Sequence, residues 1–392
     1  MITTLAVENY RSLRRLVVPL GPLTVVTGPN GSGKSSLYRA LRLLADSSRN
    51  GAVAALAREG GLQSTLWAGP EHRGKSVRDG THPIQGTTRT GPVSLRLGFA
   101  GDEFGYAIDL GTPIPSKSVF DRDPEIKHES TWTGPVLRSA TLLTDRAGTS
   151  VRIRNPAGDW QARRDVIRPY DSILSELADP QQAPELLALR DQMRSWRFYD
   201  HVRTDIDAPA RTAQIGTRTP VLSHDGADLA AAIQTIAEIG NAAALHAAID
   251  NAFPGSQVQV TTDRGRFDLT LHQHGLLRPL GAAELSDGTL RYLLWVAALL
   301  TPRPPVLLVL NEPETSLHPD LLRPLAALIL GASRHTQIVV VTHSRALASA
   351  LEVDGSRTGT EVGLIELVKE YGQTAIEGQR TLDEPSWHWP KR

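Results

Sequence analysis

Short apolar runs interrupt the polar background of this chain; they are continuous at 306–310 and 338–341, and the run at 23–27 contains two threonines. Runs of this length, bounded by polar or turn-forming residues, are typical of strands buried on both faces of a sheet. Strict alternation of apolar and polar residues, which is typical of half-buried antiparallel strands, appears instead at 93–97 and 104–110. The chain is therefore predicted to combine a buried sheet with an antiparallel one.

Weaker patterns predict the remaining elements. Further strands are expected at 2–7, 16–18, 136–143, 151–154, 160–162, 258–261, 267–272, 362–368 and 373–377. Helices are expected from Lys34 onward and at 52–58, 171–178, 184–198, 227–251, 289–300 and 320–331. The prolines within 111–135 predict a linker or an irregular crossing there.

A glycine-rich phrase lies between the strand at 23–27 and the helix that begins at Lys34. Residues 28–35 are Gly-Pro-Asn-Gly-Ser-Gly-Lys-Ser, which fits the G-x-x-x-x-G-K-[ST] loop that wraps nucleotide phosphates. Glycines let several N–H groups point at one anion, and the following helix N-terminus favours negative charge. Lys34 is expected to reach the β- and γ-phosphates, and Ser35 to bind Mg²⁺. The predicted ATP-binding residues of this loop are Asn30, Gly31, Ser32, Gly33, Lys34, Ser35 and Ser36.

The apolar run at 306–310 ends in Asn311 and Glu312. The carboxyl ends of strands in an open α/β sheet are where ligands bind, so Glu312 is expected to orient or deprotonate the attacking water. The preceding position in this motif is usually Asp, which helps to hold Mg²⁺. Asn311 can accept hydrogen bonds but adds no negative charge, so Mg²⁺ is expected to depend more on Ser35 and the phosphates. The substitution is expected to affect the rate of hydrolysis more than nucleotide binding.

Two further motifs complete the set of candidate nucleotide-binding motifs. Ser286, Asp287 and Gly288 precede the helix predicted at 289–300, and Ser286 with the amides around Gly288 can form a second anion site. The same residues also fit an ordinary helix N-cap, but their position shortly before Glu312 favours the anion site. His343 follows the strand at 338–341 and is expected to hydrogen-bond the γ-phosphate.

Together these motifs resemble the ABC-type ATPases of the RecF/SMC class, in particular the small RecF-like ATPases that also occur in phage-defence modules. The resemblance covers about 1–110 and 255–377, and it includes the Leu-Ser-Asp-Gly-Thr signature at 285–289 and a D-loop phrase at 314–319. It implies an α/β P-loop ABC-type ATPase with a mostly parallel core sheet, an antiparallel β subdomain and a mixed α+β insertion.

The implied division of the chain has three parts. Residues 1–110 would form the N-terminal part of the ATPase core with the β subdomain. Residues 111–254 would be an inserted region, and residues 255–392 would return to the core with the signature, the Asn311–Glu312 strand, the D-loop and His343.

The resemblance also implies a mechanism. Two copies would enclose two ATP molecules and their Mg²⁺ ions head to tail. Each nucleotide would contact Lys34, Ser35, Glu312 and His343 of one subunit and Ser286 of the other.

A few further residues take roles from the resemblance alone. The segment from Asn9 to Ser12 would lie near the nucleotide base, with Asn9 and Arg11 as the binding residues. The glutamine that assists Mg²⁺ in this class would be Gln63, with Gln85 as the second candidate.

The charge balance of the chain does not decide which kind of partner it binds. The 42 Lys and Arg residues balance 42 Asp and Glu residues, so no global field attracts nucleic acid or an anionic membrane. Residues 138–168 nevertheless carry seven Arg, three Asp and Trp160, and their functional interpretation is a phosphate-binding patch for RNA or for DNA, including double-stranded DNA. A solvated face on an arginine-rich chain is the interpretation that this segment alone favours.

Composition restricts the setting and the chemistry. Cysteine is absent, which excludes disulfides and thiolate metal sites and fits the cytoplasm. The N-terminus lacks the pattern of a signal peptide, and the longest apolar run, 292–300, is too short to span a bilayer. A His, an Arg and two Asp crowd together within 198–205; ion pairing of Arg203 with Asp205 is preferred there over a metal site.

The sequence therefore predicts a cytoplasmic, Mg²⁺-dependent ATPase that forms a homodimer on ATP and acts on DNA in repair or phage defence. One alternative is an ATP-dependent switch that controls a partner protein such as a toxin or a nuclease subunit. A transporter's ATPase subunit is disfavoured by the form of the signature and by the insertion. A binding-competent switch that hydrolyses very slowly remains open because of Asn311.

Overall fold

The computed structural model describes residues 1–49, 51–69, 94–113, 117, 119–155, 157–163, 167–200, 202–380 and 382–391. The described strands are β1 (Ile2–Tyr10), β2 (Leu13–Pro19), β3 (Leu23–Thr27), β4 (Leu95–Gly101), β5 (Phe104–Gly111), β6 (Glu125–Thr133), β7 (Leu142–Ala147), β8 (Ser150–Arg154), β9 (Trp160–Ala162), β10 (Arg197–Tyr199), β11 (Gln214–Ile215), β12 (Gln257–Asp263), β13 (Arg266–His272), β14 (Leu280–Gly281), β15 (Leu307–Asn311), β16 (Gln337–Val341), β17 (Val362–Glu370) and β18 (Gln373–Ile376).

The described helices are α1 (Lys34–Ser47), α2 (Ala52–Arg58), α3 (Leu62–Thr65), α4 (Ile173–Glu176), α5 (Pro184–Ser195), α6 (Leu229–Ile239), α7 (Ala242–Ala252), α8 (Asp287–Leu299), α9 (Leu322–Ala332) and α10 (Arg345–Thr358). Short 3₁₀ turns occur at Pro209–Arg211, Ala282–Glu284 and Pro319–Leu321. No helix formed by the described residues is long and apolar enough to cross a membrane.

The chain forms two compact units. The first contains Met1–Leu20, Gly28–Ser195 and Glu366–Arg392, and the second contains Gly21–Thr27 and Trp196–Ile365. The stretch 111–254, expected from the sequence to be one insertion, is therefore divided between the two units at Ser195.

The first unit is built on an antiparallel sheet in the order β2-β1-β4-β5-β6-β7-β8-β9. The strand β6, Glu125–Thr133, lies inside this sheet, so the prediction of a linker over 111–135 is wrong for these residues. Pro124 and Pro135 flank the strand and do not interrupt it, which is why proline was a misleading signal here.

The strand predicted at 136–143 is also misplaced. The chain instead turns after Thr133, whose N–H donates to the carbonyl oxygen of Thr141 at 3.0 Å, and the next strand is Leu142–Ala147. The hydroxyl of Thr141 accepts from the N–H of Arg138 at 3.0 Å and closes this turn. The apolar residues Val136 and Leu137 had suggested a strand that the turn excludes.

In the second unit, β10, β15, β16 and β3 pair in parallel in that order. Their carboxyl ends meet at one edge, where Asn311 is paired with Val341. The edge strand β10 was not predicted, since 184–198 was expected to be helical and the helix ends at Ser195. Phe198 and Tyr199 are buried, and aromatic residues favour a strand once one face is covered.

The helical stretch predicted at 227–251 is two helices, α6 and α7. The break falls at Gly240, where a Cβ would lie 2.8 Å from the carbonyl oxygen of Ile236. Asn241 then starts α7, because its side chain accepts a hydrogen bond from the N–H of Ala244 at 2.9 Å. The alanine content of 227–251 predicts helix, but it does not predict the N-cap at Asn241 that separates the two helices.

The arginine-rich segment 138–168 does not form a uniform surface. Arg146 is fully buried in the first unit and donates to Glu129, which is equally buried, at 3.3 Å. Its guanidinium also donates to the carbonyl oxygens of Gly148, Arg168 and Asp171. Arg146 is therefore a structural residue that ties the segment 168–171 to the sheet.

We predict that Arg146→Met destabilises the protein by about 3–5 kcal/mol, because the variant leaves the Glu129 carboxylate buried without its partner. Equilibrium unfolding in urea measures the change. Arg138→Met is the matched control, since Arg138 is exposed, and its effect should stay within about 0.5 kcal/mol. Equal effects of the two substitutions would contradict a structural role for the buried pair.

Candidate functional site

The glycine-rich loop of the first unit has backbone angles that only glycine adopts easily. Gly28, Gly31 and Gly33 have φ values of 140°, 76° and 112°. A Cβ at Gly28 would lie 2.2 Å from the carbonyl oxygen of Leu367, and one at Gly33 would lie 2.1 Å from the hydroxyl of Thr374. Close approach of β17 and β18 therefore fixes the first and last glycine of the loop.

A hydrogen-bond network holds this loop from behind. The buried hydroxyl of Thr374 donates to the carbonyl oxygen of Ser32 at 2.7 Å and shares a hydrogen bond with the Ser12 hydroxyl at 2.8 Å. The N–H of Thr374 also donates to the carbonyl oxygen of Ser12 at 2.8 Å. The sequence does not single out Thr374, because its contact with Ser32 joins positions that lie 342 residues apart.

Lys34, the first residue of α1, turns its charge back into the loop. Its buried side chain donates from Nζ to the carbonyl oxygens of Gly28 at 2.6 Å and Pro29 at 2.9 Å. Among the predicted phosphate-binding residues, Asn30, Gly31 and Ser35 are exposed, Gly33 and Ser36 are partly exposed, and Ser32 is buried. The loop thus combines the buried charge of Lys34 with residues that solvent can reach.

The turn between β1 and β2 holds the residues expected near a nucleotide base. Asn9 and Arg11 both have positive φ, at 62° and 52°. The Asn9 amide donates to the carbonyl oxygen of Ser94 at 3.0 Å, and Arg11 pairs with Glu59 at 2.6 Å. Both side chains are thereby fixed within the first unit.

Tyr10 reinforces this turn. Its hydroxyl donates to Glu59 at 2.7 Å, and burial together with this carboxylate raises the pKa of Tyr10 well above its usual range.

Gln63, the first candidate for the Mg²⁺-assisting glutamine, is exposed on α3. Gln85, the second candidate, lies outside the described residues.

In the second unit, the structure brings Glu312 and His343 together at the ends of β15 and β16. Glu312 Oε1 lies 3.1 Å from His343 Nε2, and both side chains are partly exposed. Glu312 has a positive φ of 49°, and its N–H donates to the carbonyl oxygen of Val341 at 2.7 Å. The strained turn directs the carboxylate to the imidazole at the open edge of the sheet.

Glu314 anchors the segment that carries His343. One of its oxygens accepts from the Thr342 hydroxyl at 2.6 Å and from the N–H groups of His343 and Ser344 at 2.9 and 3.1 Å. Ser344 then caps α10 by accepting from the N–H of Leu347 at 3.1 Å. The sequence placed Glu314 only in a D-loop phrase; its carboxylate is also what positions His343.

The signature residues begin α8. Ser286 is the N-cap, and its hydroxyl accepts from the N–H of Thr289 at 3.1 Å. A Cβ at Gly288 would lie 2.9 Å from the carbonyl oxygen of Ser316, so the signature and the D-loop phrase approach closely. Asp287 pairs with Arg211 at 2.6 Å.

A groove of about 630 Å³ lies beside this helix start. Its lining includes Ser286, Gly288 and Thr289 of the signature, and 316–321 of the D-loop phrase and the turn that follows it. Trp295 connects α8 to the turn after Glu312, since its indole N–H donates to the carbonyl oxygen of Pro313 at 2.9 Å. The groove presents the capped helix end to a ligand or a second molecule.

The crowded segment at 198–205 is confirmed as an ion-paired turn. Arg203 and Asp205 pair at 2.5 Å, whereas His201 lies outside the described residues. Within the described part of the chain, no group of three or more His, Asp or Glu side chains is placed to hold a metal ion.

Comparison with known proteins identifies the family. Residues 23–349 match the family described as "AAA domain, putative AbiEii toxin, Type IV TA system". The chain belongs to this AAA-domain family. The expected kinship with RecF/SMC-like ATPases is thereby confirmed.

Two solved structures are similar to this AAA-domain chain, and one of them supports the same fold. An Smc head bound to the C-winged helix domain of ScpA is 13% identical over 96% of this chain and 97% of that one, with a TM-score of 0.50. The SMC head domain from Thermotoga maritima is 14% identical over 97% and 99%, with a TM-score of 0.47. The first likeness shows a fold of the SMC-head, ABC-ATPase type.

A local match completes the comparisons. The OLD nuclease of Thermus scotoductus is 48% identical over 44 residues, which are 11% of this chain and 8% of that protein. The match spans a small part of the nuclease, so it relates a segment and not the whole protein.

The glycine-rich loop and the end of β15 each have a feature that fits ATP or Mg²⁺. Around Gly31 the position of a Cβ is open, so the loop leaves room for a phosphate. The Asn311 side-chain oxygen is buried at the end of β15 without a hydrogen-bond partner among the described residues. A buried carbonyl oxygen of this kind suits Mg²⁺ or one of its waters, both of which seek oxygen ligands.

We predict that Thr374→Val weakens ATP binding about three- to tenfold, because the loop loses the two hydrogen bonds that the Thr374 hydroxyl makes to Ser32 and Ser12. Equilibrium titration with a fluorescent ATP analogue measures the affinity. Thr262→Val, at an exposed position of β12, should bind as the unmodified chain does. An unchanged affinity of Thr374→Val would show that the loop keeps its shape without β18.

Proposed function

We propose that this protein is a Mg²⁺-dependent ATPase whose two copies join head to tail on ATP and separate after hydrolysis. The groove beside Ser286 carries the proposal, because it places a capped helix N-terminus where a second molecule can reach it. A phosphate bound by the loop of one copy would be completed by the signature of the other. Membership of the AAA-domain family and the SMC-head type of fold support an ATPase.

Individual residues take defined roles in this proposal. Lys34 and the loop amides would bind the phosphates, and Ser35 and Asn311 would each offer an oxygen ligand to Mg²⁺. When bound, Mg²⁺ neutralises charge on the β- and γ-phosphates during transfer. Glu312 orients the attacking water, and His343, held 3.1 Å away, fixes the carboxylate and senses the γ-phosphate.

We predict that Glu312→Gln lowers ATP turnover at least about a hundredfold, because the amide cannot act as a base. The variant should still bind ATP and should accumulate as a dimer when Mg²⁺-ATP is present. Phosphate release and sedimentation velocity measure the two effects. Glu352→Gln, at an exposed position of α10, is the control; wild-type turnover by Glu312→Gln would contradict the assignment.

The proposed output is an action on DNA. Trp160 of β9 lies close to two arginines of β8 in the first unit, with the guanidinium of Arg152 at 4.6 Å and that of Arg154 at 5.0 Å from its ring. Aromatic rings flanked by arginine provide stacking and phosphate contacts for nucleic acids. Roles in repair or phage defence belong to this proposal.

A partner protein is the second candidate, and a different observation favours it. Val119 and Phe120, on the connection from β5 to β6, are 87% and 68% exposed. Adjacent exposed apolar side chains are typical of protein-binding surfaces. The family description, which names a toxin and a toxin–antitoxin system, supports a protein partner as well.

ATP turnover with and without linear double-stranded DNA at low salt separates the two candidates. Action on DNA predicts stimulation that Trp160→Ala removes and that Phe120→Ser leaves intact. Turnover that DNA does not change would favour the partner protein. Recovery of a specific protein by the unmodified chain, lost in Phe120→Ser and kept in Trp160→Ala, would then support that candidate.

A further inference from the structure

A buried arginine lies behind the signature. Arg211 ends the 3₁₀ turn Pro209–Arg211 in the second unit and is only 8% exposed. It belongs to none of the nucleotide-binding motifs of the sequence. Arginine is rarely buried unless its charge and its donors are satisfied, so its surroundings define what it does.

The guanidinium joins three segments of the second unit. Nε and Nη2 donate to the carbonyl oxygen of Thr204 at 3.0 and 2.7 Å, and Nε donates to that of Asp205 at 3.0 Å. Nη1 donates to the carbonyl oxygen of Leu285 at 2.7 Å, and more weakly to those of Ala282 and Ala283 at 3.3 Å. Nη2 also pairs with the Asp287 carboxylate at 2.6 Å.

These contacts surround Ser286 on both sides. Leu285 precedes the serine and Asp287 follows it, so one planar side chain fixes the backbone at which α8 begins. A lysine has a single ammonium and cannot bridge this spread of acceptors. The orientation of the Ser286 hydroxyl and of the first α8 amides therefore depends on Arg211.

The ion pair also resolves an electrostatic conflict. Asp287 is 57% exposed and sits at the helix N-terminus, where a carboxylate stabilises the helix but repels an incoming phosphate. Arg211, which is buried, pairs with this carboxylate at 2.6 Å and offsets its charge. A phosphate can then approach the helix end without meeting an unpaired anion.

We propose that Arg211 is a positioning residue that makes the signature competent to bind the ATP phosphates of a second copy. The inference rests on the proposed head-to-tail ATP dimer and names the residue that prepares one half of its site. Arg211 acts through Ser286 and Asp287 and does not itself contact the nucleotide.

The test uses the full chain carrying Glu312→Gln, which is expected to hold the ATP dimer. Arg211→Lys is added to this chain, and dimer dissociation is measured by sedimentation equilibrium in Mg²⁺-ATP. The dissociation constant should rise on the order of tenfold to a hundredfold, since several hydrogen bonds from a charged group are lost. Binding of a fluorescent ATP analogue at low protein concentration should not change, because the loop of the first unit is untouched.

Arg203→Lys is the matched control. Arg203 lies in the same segment and pairs with an Asp, but the pair is exposed. This substitution should leave the dimer unchanged. Because a protein that is merely destabilised would lose ATP binding and dimer together, the split between the two readouts separates positioning from general folding.

A rescue experiment tests whether Arg211 acts by offsetting the charge of Asp287. Arg211→Met leaves the Asp287 charge unpaired, and adding Asp287→Asn removes that charge. The double substitution should regain part of the dimer affinity lost in Arg211→Met. If the Arg211 variants do not fold, Asp287→Glu tests the positioning role instead. Its longer side chain displaces the carboxylate at a largely exposed position. This substitution should weaken the dimer, as the Arg211 variants are expected to do.

The outcomes are distinct. A dimer of Glu312→Gln that Arg211→Lys leaves equally tight would overturn the positioning role and would leave the proposed function standing. A dimer that Asp287→Glu, used alone, leaves unchanged would overturn the positioning role in the same way. Failure of Glu312→Gln to dimerise on ATP would overturn the proposed function, and this inference with it.

Discussion

The triphosphate of ATP carries more negative charge than one anion-binding turn can neutralise, and the proposed function of this chain starts from that constraint. The protein has two such turns, each made from backbone amides at the start of a helix. One adds the charge of Lys34, and the other adds the hydroxyl of Ser286. Each turn is an incomplete site for a triphosphate, so the proposed pairing of two copies would provide the missing half.

Both turns are held by contacts from behind, away from the surface that a phosphate would approach. Thr374 fixes the glycine-rich loop through the carbonyl oxygen of Ser32, and Arg211 fixes the signature through the carbonyl oxygen of Leu285. Glu314 does the same for the segment of His343 by accepting three hydrogen bonds. Fixed donors need no reorganisation when the ligand charge arrives, which is the physical basis of electrostatic catalysis.

Local chemistry was enough to predict the loop from Gly28 to Ser35, the strand ending at Asn311 and the cap at Ser286. Each depends on residues that are adjacent in sequence, where glycine, proline and apolar runs give strong signals. The supporting residues, Thr374 and Arg211, could not be found this way, because their partners lie far along the chain. The strand at Glu125–Thr133 was missed for a related reason: its place depends on neighbouring strands more than on its own composition.

Mixing two inactive variants tests most directly whether one site is completed by two copies. Lys34→Ala removes the phosphate charge of the loop, and Ser286→Arg blocks the signature. Each variant alone should lack ATP turnover. In a mixed dimer, the loop of the Ser286→Arg copy meets the signature of the Lys34→Ala copy, so one intact site forms and turnover should return on mixing. Turnover that stays at the level of the separate variants, while both still fold, would contradict the account.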